Sequence, residues 1–244
     1  MTTAKATAPL LDPLAALADQ NSAYDWAGHD TLHLSDRYRQ RQLPLLDERT
    51  RRGPAPDPGP GEFWPPVRST VVPLDAHTLG NDRQMTGFLD DLRATGLGDL
   101  VWWRGLDLRA DRIHATLAVT ENDPEVPPGG DVCVVVRGPW IGRLNAGRIY
   151  LPVQAADQQS ADHLADIRTR AGQTEHRPLL AGYLQFTDDV GGEHYRALHE
   201  LIATYQTRIA VAMGVRELWV METMDDLVLR SRVAARLPVS TFVR

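Results

Sequence analysis

The sequence is poor in cysteine and in long apolar runs, and each shortage excludes a class of protein. A single cysteine, Cys133, among 244 residues excludes an intrachain disulfide scaffold. No stretch approaches the roughly 18 apolar residues that a membrane-spanning helix needs. The N-terminal segment also lacks the uninterrupted apolar core of a signal peptide, because Pro9, Asp12 and Pro13 divide it. We therefore expect a cytoplasmic protein that has no membrane partner.

The chain also lacks an excess of positive charge. Its 26 lysine and arginine residues are outnumbered by 32 aspartate and glutamate residues, which gives a formal net charge of −6. A protein that binds long nucleic acid without sequence preference depends on a positive surface field. We therefore do not expect a long nucleic-acid partner.

A proline-rich segment separates an N-terminal arm from the rest of the chain. Residues 53–60 read Gly-Pro-Ala-Pro-Asp-Pro-Gly-Pro, with proline at every second position. Such a segment cannot continue a helix or enter a central strand, and it is typical of an extended linker. We predict an N-terminal arm and linker over residues 1–62, with a short helix at 10–18, and one domain over residues 63–244.

Within that domain, apolar periodicity predicts helices interspersed with strand hairpins. Helices are expected over residues 81–95, 160–171 and 193–213. Strands are expected over residues 70–74, 101–103, 112–120, 131–136, 148–153, 180–187, 217–222 and 227–237. This order favours an α+β fold with a largely antiparallel sheet. A strand–helix–strand–strand order occurs twice, over about 70–136 and 149–220, which suggests two similar halves.

The sharpest local feature is the predicted strand that contains His114 and Thr116. Alternate residues of a strand share a face, so these two side chains project together. Imidazole is suited to acid–base chemistry near neutral pH, and a threonine hydroxyl can bind a phosphoryl oxygen. The same pattern also fits a partly buried histidine beside a threonine that favours strands. Both interpretations stay open at this point.

His114-Ala115-Thr116-Leu117 follows a strand, a helix and Trp102-Trp103, and in this context it resembles the first half of the 2H phosphoesterase superfamily. That superfamily is named for two His-x-Thr/Ser motifs, and the resemblance covers residues 70–239. It implies a bilobal fold of pseudo-symmetric antiparallel sheets flanked by helices, with the two motifs facing each other across a cleft. It also implies a hydrolase, a phosphodiesterase that needs no cofactor and binds a small nucleotide or short RNA end. The bond cleaved would be a cyclic phosphate or a 2′,5′ linkage, with His114 as acid or base and Thr116 as a phosphate contact.

The second motif departs from the family pattern. On the predicted strand 180–187, Gln185 stands at the histidine position and Thr187 at the threonine position. Glutamine cannot carry a proton at neutral pH, so one proton transfer of the family mechanism is unassigned. Three interpretations stay open: a non-catalytic module that binds a nucleotide or a protein, an enzyme that uses one acid–base group or recruits His176 or Tyr183, and an incorrect alignment. If the resemblance holds, we expect His114, Thr116, Gln185 and Thr187 to converge in one cleft.

Further candidates for substrate binding flank these motifs. Trp140 is placed to stack on a base and Arg143 or Arg148 to pair with a phosphate, although the same loop also fits a hairpin whose tryptophan packs on its own sheet. Trp103 and Tyr183 are the other two substrate-binding candidates. His33-Leu34-Ser35 is a chance His-x-Ser match unless the arm folds over the cleft. We expect no metal site, because His163 and His176 have no carboxylate or thiol at ligand spacing. An enzyme unrelated to phosphate chemistry is a third hypothesis.

Overall fold

One long, curled antiparallel sheet organises the chain, and its longest helices contribute to its main hydrophobic core. The structure, a computed structural model, describes residues 13–19, 23–120, 131–173 and 178–239. The expected α+β class with a largely antiparallel sheet is therefore confirmed. No helix in these ranges is both long and apolar enough to cross a membrane.

The strands are numbered in chain order. They are β1 (Thr31–Leu32), β2 (Arg52–Pro54), β3 (Glu62–Phe63), β4 (Val67–Pro73), β5 (His114–Val119), β6 (Val132–Arg137), β7 (Trp140–Ile141), β8 (Arg148–Ala155), β9 (Leu179–Gln185), β10 (Val190–Gly191), β11 (Ala210–Val215), β12 (Glu217–Thr223) and β13 (Ser231–Pro238). The helices are α1 (Pro13–Asp19), α2 (Asp36–Arg41), α3 (Leu43–Leu46), α4 (Ala76–Asn81), α5 (Arg83–Ala94), α6 (Arg104–Arg109), α7 (Gln158–Arg170) and α8 (Gly192–Gln206).

The large sheet has the strand order β11-β6-β8-β9-β5-β4-β12-β13, and β7 adds to it by pairing with β8. Strands β5 and β9 meet at its centre through one registered pair, Ala115 with Ala181. In every other neighbouring pair of this order at least three residue pairs are in register. The sheet is therefore joined only narrowly at its centre, with four strands of this order on each side.

The two faces of β5 have different surroundings. Ala115 and Leu117 are buried in the main hydrophobic core together with Phe88 of α5. Helix α5 begins at Arg83 because the Asp82 carboxylate accepts the backbone N–H groups of the first turn. Since side chains alternate along a strand, His114 and Thr116 lie on the opposite face, away from this core.

The described part of the N-terminal arm packs into the same core. Leu32, Leu34 and Tyr38 are all buried there. The Tyr38 hydroxyl donates a 2.7 Å hydrogen bond to the backbone carbonyl of Phe186. The proline-rich segment 53–60 begins with β2, which pairs in parallel with β3 in a separate two-stranded ladder. The arm is therefore part of the folded body from residue 23 onward.

Three predicted elements differ from the structure. Residues 101–103 do not form a strand, because only Val101 makes a bridge and Trp103 leads directly into α6. The long helix ends at Gln206, since Val211, Met213 and Val215 alternate as buried residues of β11, which has the period of a strand. The last strand begins at Ser231 and not at 227, because residues 224–230 form a turn.

We predict that Tyr38→Phe lowers the free energy of unfolding by about 1–2 kcal/mol, because the buried carbonyl of Phe186 loses its donor. Urea denaturation of both proteins measures this difference. Tyr183→Phe is the matched control, since the Tyr183 hydroxyl makes no hydrogen bond within the described ranges and its ring is equally part of the core. Equal destabilisation by the two substitutions would contradict the assignment.

Candidate functional site

A cavity of about 210 Å³ lies on the open face of the sheet, beside the junction of β5 and β9. Strands β4, β5, β8 and β9 form its floor, and the connection between β12 and β13 forms one wall. Its lining is mainly polar and includes charged groups of both signs. The lining residues are Trp64, Ser69, Arg109, Arg112, Ile113, His114, Thr116, Arg148, Tyr150, Leu180, Gly182, Thr223, Asp225, Asp226 and Val228.

The imidazole of His114 is held in one tautomer by the backbone. Its Nδ1 lies 2.8 Å from the carbonyl oxygen of Arg112, which only accepts hydrogen bonds, so Nδ1 carries a hydrogen. The pKa of His114 is lowered to about 4, mainly by burial; the hydrogen bond to Arg112 opposes this effect, and the positive charges of Arg148 and Arg109 add to it. The ring is therefore neutral near pH 7, and its Nε2 has a free lone pair that can accept a proton.

Arg148 lies at the start of β8 with its guanidinium directly over Gly182 of β9. A Cβ atom at Gly182 would lie 1.8 Å from Nη2 and 2.2 Å from Cζ of Arg148, so the guanidinium occupies the space that any other side chain would fill. Arg148 is 8% exposed, and its Nε is buried without a hydrogen-bond partner. No carboxylate within the described ranges forms an ion pair with it. Its nearest aromatic neighbour is Tyr150, whose ring centroid is 5.2 Å from Cζ.

Arg109 is also buried, but its donors are occupied. It donates to the carbonyl oxygens of Gly105, Gly182 and Tyr183 at 2.9, 3.2 and 2.6 Å, and to Oε1 of Gln185 at 3.1 Å. Burial lowers the pKa of Arg109 to about 9, and the charge of Arg148 adds to this effect. Arg109 therefore fixes the end of β9 to α6, and it contributes positive charge to the cavity floor.

The turn between β12 and β13 is held by the buried carboxylate of Asp225. This carboxylate accepts the backbone N–H groups of Leu227, Leu229 and Arg230 at 2.8–3.0 Å. Burial raises the pKa of Asp225, although these three bonds oppose that effect. Val228 in the same turn has φ 62°, a left-handed conformation that is rare for a β-branched residue. The Asp225 bonds therefore hold a strained turn against the cavity.

The neighbouring Asp226 connects the cavity wall to the N-terminal arm. Its Oδ2 accepts a 3.2 Å hydrogen bond from Nε2 of Gln42, which is fully buried. The same Nε2 lies 3.4 Å from Oδ1 of Asn145. Leu45 of the arm packs with Phe63 and Leu227 behind the turn. The arm thus supports the wall of the cavity from outside.

The four residues expected to converge do not all reach this cavity. His114 and Thr116 line it. Gln185 is 1% exposed and does not line the cavity; its Oε1 accepts from Arg109, and its Nε2 has no partner within the described ranges. Thr187 is exposed, and its hydroxyl donates to the carbonyl of Leu100 at 3.2 Å.

The register of β9 explains this placement. The antiparallel pair Ala115–Ala181 sets Gly182 opposite His114 and Leu180 opposite Thr116. A register shift between β8 and β9 pairs Gln185 with Arg148, but the Gln185 amide accepts from Arg109 and lies against Gly105 of α6, outside the cavity lining. The positions that face the His114 strand are therefore Leu180 and Gly182.

Of the substrate-binding candidates, Arg148 lines the cavity, whereas Trp103, Trp140, Arg143 and Tyr183 do not. The indole Nε1 of Trp103 donates to the carbonyl of Gly98, and Arg93 lies over its ring. Trp140 and Tyr183 are buried in the fold, and Arg143 is exposed. His33 of the arm is exposed and pairs with Asp189 at 2.9 Å. His176 lies outside the described residues.

Sequence reasoning missed Arg109 and Asp225 as parts of the site. Both act on backbone groups, and the carbonyls that Arg109 binds in β9 are more than 70 positions away in the chain. One signal was present: a lone glycine inside a strand, here Gly182, indicates the close approach of another group. Within the ranges described, no group of three or more His, Cys, Asp or Glu side chains is placed to hold a metal ion.

Comparison with protein-family models and with curated proteins identifies no relative. No model of a known protein family matches the chain, and a search of curated proteins returns no significant match. The resemblance to the 2H phosphoesterases therefore stays a prediction, carried by the residues quoted for it.

We predict that the pH dependence of stability reports the buried His114. The unfolded chain takes up a proton on this residue near pH 6.5, whereas the folded protein resists protonation down to about pH 4. The stabilisation is therefore complete above pH 6.5 and is lost as the pH falls toward 4, by at most about 3 kcal/mol. His114→Asn keeps a donor for the Arg112 carbonyl and removes the titration.

Urea denaturation from pH 7.5 to 4 measures this effect, and NMR titration of the His114 ring gives its pKa directly. The wild-type protein should lose more stability across this range than His114→Asn does. Parallel pH profiles for the two proteins would contradict the prediction.

Proposed function

We propose that the cavity binds a nucleotide-type phosphodiester and that His114 acts as the general base for its hydrolysis. The observation that carries this proposal is a neutral imidazole with a free Nε2 in the same cavity as Arg148, a buried cation without a counterion. A base beside an anion-binding group is the pair that attack of water on a phosphodiester requires.

The charges of the cavity support a singly charged ligand. Three guanidinium groups and two carboxylates line it, an excess of one positive charge when all are ionised. A phosphodiester carries one negative charge at neutral pH. The volume of about 210 Å³ is below the roughly 300–1,000 Å³ of a pocket that encloses a drug-sized ligand. These features favour the phosphoryl and sugar end of a small nucleotide or a short RNA end over a long strand.

The arrangement of the sheet supports the bilobal architecture implied by the resemblance. On each side of the β5–β9 junction the strand order contains four strands. Each side also contains a strand–helix–strand unit, β4–α5–β5 and β8–α7–β9, that ends at the junction. A pseudo-symmetric fold would place its two motifs there, which is where His114 and Thr116 lie.

In the proposed reaction, Nε2 of His114 takes a proton from water, and the water oxygen attacks phosphorus. The Thr116 hydroxyl donates a hydrogen bond to a non-bridging oxygen, and the bond from phosphorus to the leaving oxygen breaks. No second histidine lines the described cavity, so the leaving oxygen takes its proton from solvent. Since a positioned general acid contributes roughly 10²–10⁴-fold, we expect turnover to be slow.

A non-catalytic nucleotide-binding module is the second candidate, and one observation favours it. The residues opposite His114 and Thr116 are Gly182 and Leu180, neither of which can carry a proton. A site with one acid–base group can bind the ligand, but it cannot carry out both proton transfers of hydrolysis. Saturable binding without product would support this candidate.

The test uses purified full-length protein and 2′,3′-cyclic AMP, with product followed by chromatography and binding by calorimetry. We expect slow turnover that falls at least 100-fold in His114→Asn, because the base is lost while the amide still holds the Arg112 carbonyl. Binding without turnover would shift the assignment to the module. Absence of both binding and turnover would overturn the proposal.

Two threonines provide a matched pair of variants for the same assay. Thr116→Val removes a hydroxyl from the cavity and should weaken activity or binding about tenfold, the effect of one hydrogen bond to a charged group. Thr187→Val removes a hydroxyl outside the cavity and should leave both unchanged. Equal effects of the two substitutions would argue against the position assigned to the ligand.

A further inference from the structure

The geometry points to Arg148 as the residue that binds the non-bridging phosphoryl oxygens, with Gly182 as the residue that gives its guanidinium room to do so. This inference rests on the proposed function for the identity of the ligand. It assigns a binding role to residues of β8 and β9, whereas the proposed base lies on β5.

The space above Gly182 is filled by another residue. The guanidinium of Arg148 lies where the side chain of residue 182 would be, with Nη2 only 1.8 Å from the ideal Cβ position. Residue 182 is opposite His114 in the register of β5 and β9. Because residue 182 has no side chain, the guanidinium of Arg148 can lie at the position on β9 that faces the His114 imidazole.

Arg148 has no counterion among the described residues. Transfer of a charged group from water into a protein is costly unless the group is paired. Arg148 is more than nine-tenths buried, yet its Nε has no acceptor and no described carboxylate pairs with it. Its positive charge also repels that of Arg109 and depresses the pKa of His114. An anionic ligand in the cavity would supply the partner that the described part of the chain does not.

Arg109 is buried in the same region as Arg148 but differs from it in its hydrogen bonds. Arg109 uses its donors on four oxygens of α6 and β9, so its place is explained by the fold. Arg148 makes no comparable bonds, and its contact with the Tyr150 ring leaves the N–H groups unused. The two arginines therefore have different roles, one that positions β9 and one that is free to bind.

The chemistry of guanidinium then defines the ligand class. Its planar donors match two oxygens of a phosphate, and this bidentate geometry is not available to a lysine ammonium. Tyr150 lies two residues after Arg148 on the same face of β8, and its hydroxyl accepts from Nδ2 of Asn145. Its own proton can therefore be donated to an ester oxygen of the ligand. We expect a tetrahedral anion with at least two unesterified oxygens, which a phosphodiester has.

The experiment measures binding of dimethyl phosphate and of inorganic phosphate to the full-length protein by NMR titration. Neither probe is consumed, so the result does not depend on catalysis. We expect both to bind, Arg148→Gln to weaken binding at least tenfold, and Arg148→Lys to weaken it at least fivefold. Binding by Arg148→Gln within twofold of wild type, or no binding by the wild-type protein, would overturn the inference.

A glycine substitution tests the position of the guanidinium without changing any charge. Gly182→Ala places a methyl group in the space of the guanidinium and should weaken binding as much as Arg148→Gln does. The double variant should bind no more weakly than either single variant, because both remove the same contact. Gly214→Ala on β11 is the matched control, since nothing lies within 4 Å of its Cβ position. Additive losses would mean that Gly182 acts separately from Arg148.

The outcome also separates this inference from the proposed hydrolysis. Loss of probe binding in Arg148→Gln, with no turnover of 2′,3′-cyclic AMP by the wild-type protein, would support the binding role and remove the hydrolytic one. If Arg148→Gln turned over 2′,3′-cyclic AMP with the KM and kcat of the wild-type protein, the hydrolytic role would be supported and the binding role of Arg148 removed. Circular dichroism and thermal unfolding of each variant show whether the fold is retained, and Gly182→Ala remains informative if Arg148→Gln fails to fold.

Discussion

The narrow junction between β5 and β9 is the constraint on which the rest of the structure depends. Ala115 and Ala181 form the single registered pair between the two halves of the sheet, and both small side chains point into the core. The two strands separate on either side of this pair, so backbone groups near the end of β9 need other partners. Arg109 supplies them by binding successive carbonyls of β9. The same separation leaves room on the open face for a cavity, bordered by the side chains that flank the alanine pair.

Electrostatics in this cavity follow from burial more than from specific ion pairs. The guanidinium groups of Arg109 and Arg148 are buried beside a histidine, and burial lowers the pKa of Arg109 and of His114. The histidine responds by staying neutral, which leaves it able to accept a proton or a hydrogen bond. Arg109 does not respond in this way, because a pKa of about 9 leaves it charged near pH 7. The result is an electropositive floor that carries a neutral base, a combination that suits an anionic ligand and a protic nucleophile.

The sequence predicted those features that depend on local periodicity and missed those that depend on distant partners. The shared face of His114 and Thr116 follows from the alternation of side chains along a strand, so it could be predicted without any knowledge of the fold. The burial of Gln185 could not, because its amide is held by Arg109, which lies 76 positions away in the chain. Trp102 and Trp103 favour strands by residue type, yet Trp103 is bound to the Gly98 carbonyl and starts α6. The core position of Tyr38 was missed for a related reason, since its partner Phe186 is 148 residues away.

The buried amide of Gln42 has a consequence for how this protein can change over time. Its hydrogen bonds reach Asp226 in the cavity wall and Asn145 near the start of β8, so three segments that are distant in the chain share one polar contact. A module that is exchanged between proteins must keep its function when its neighbours are replaced. The domain that begins after the proline-rich segment does not meet this condition, because part of its cavity wall rests on residues that precede that segment. We therefore expect residues 1–62 and residues 63–244 to be inherited together.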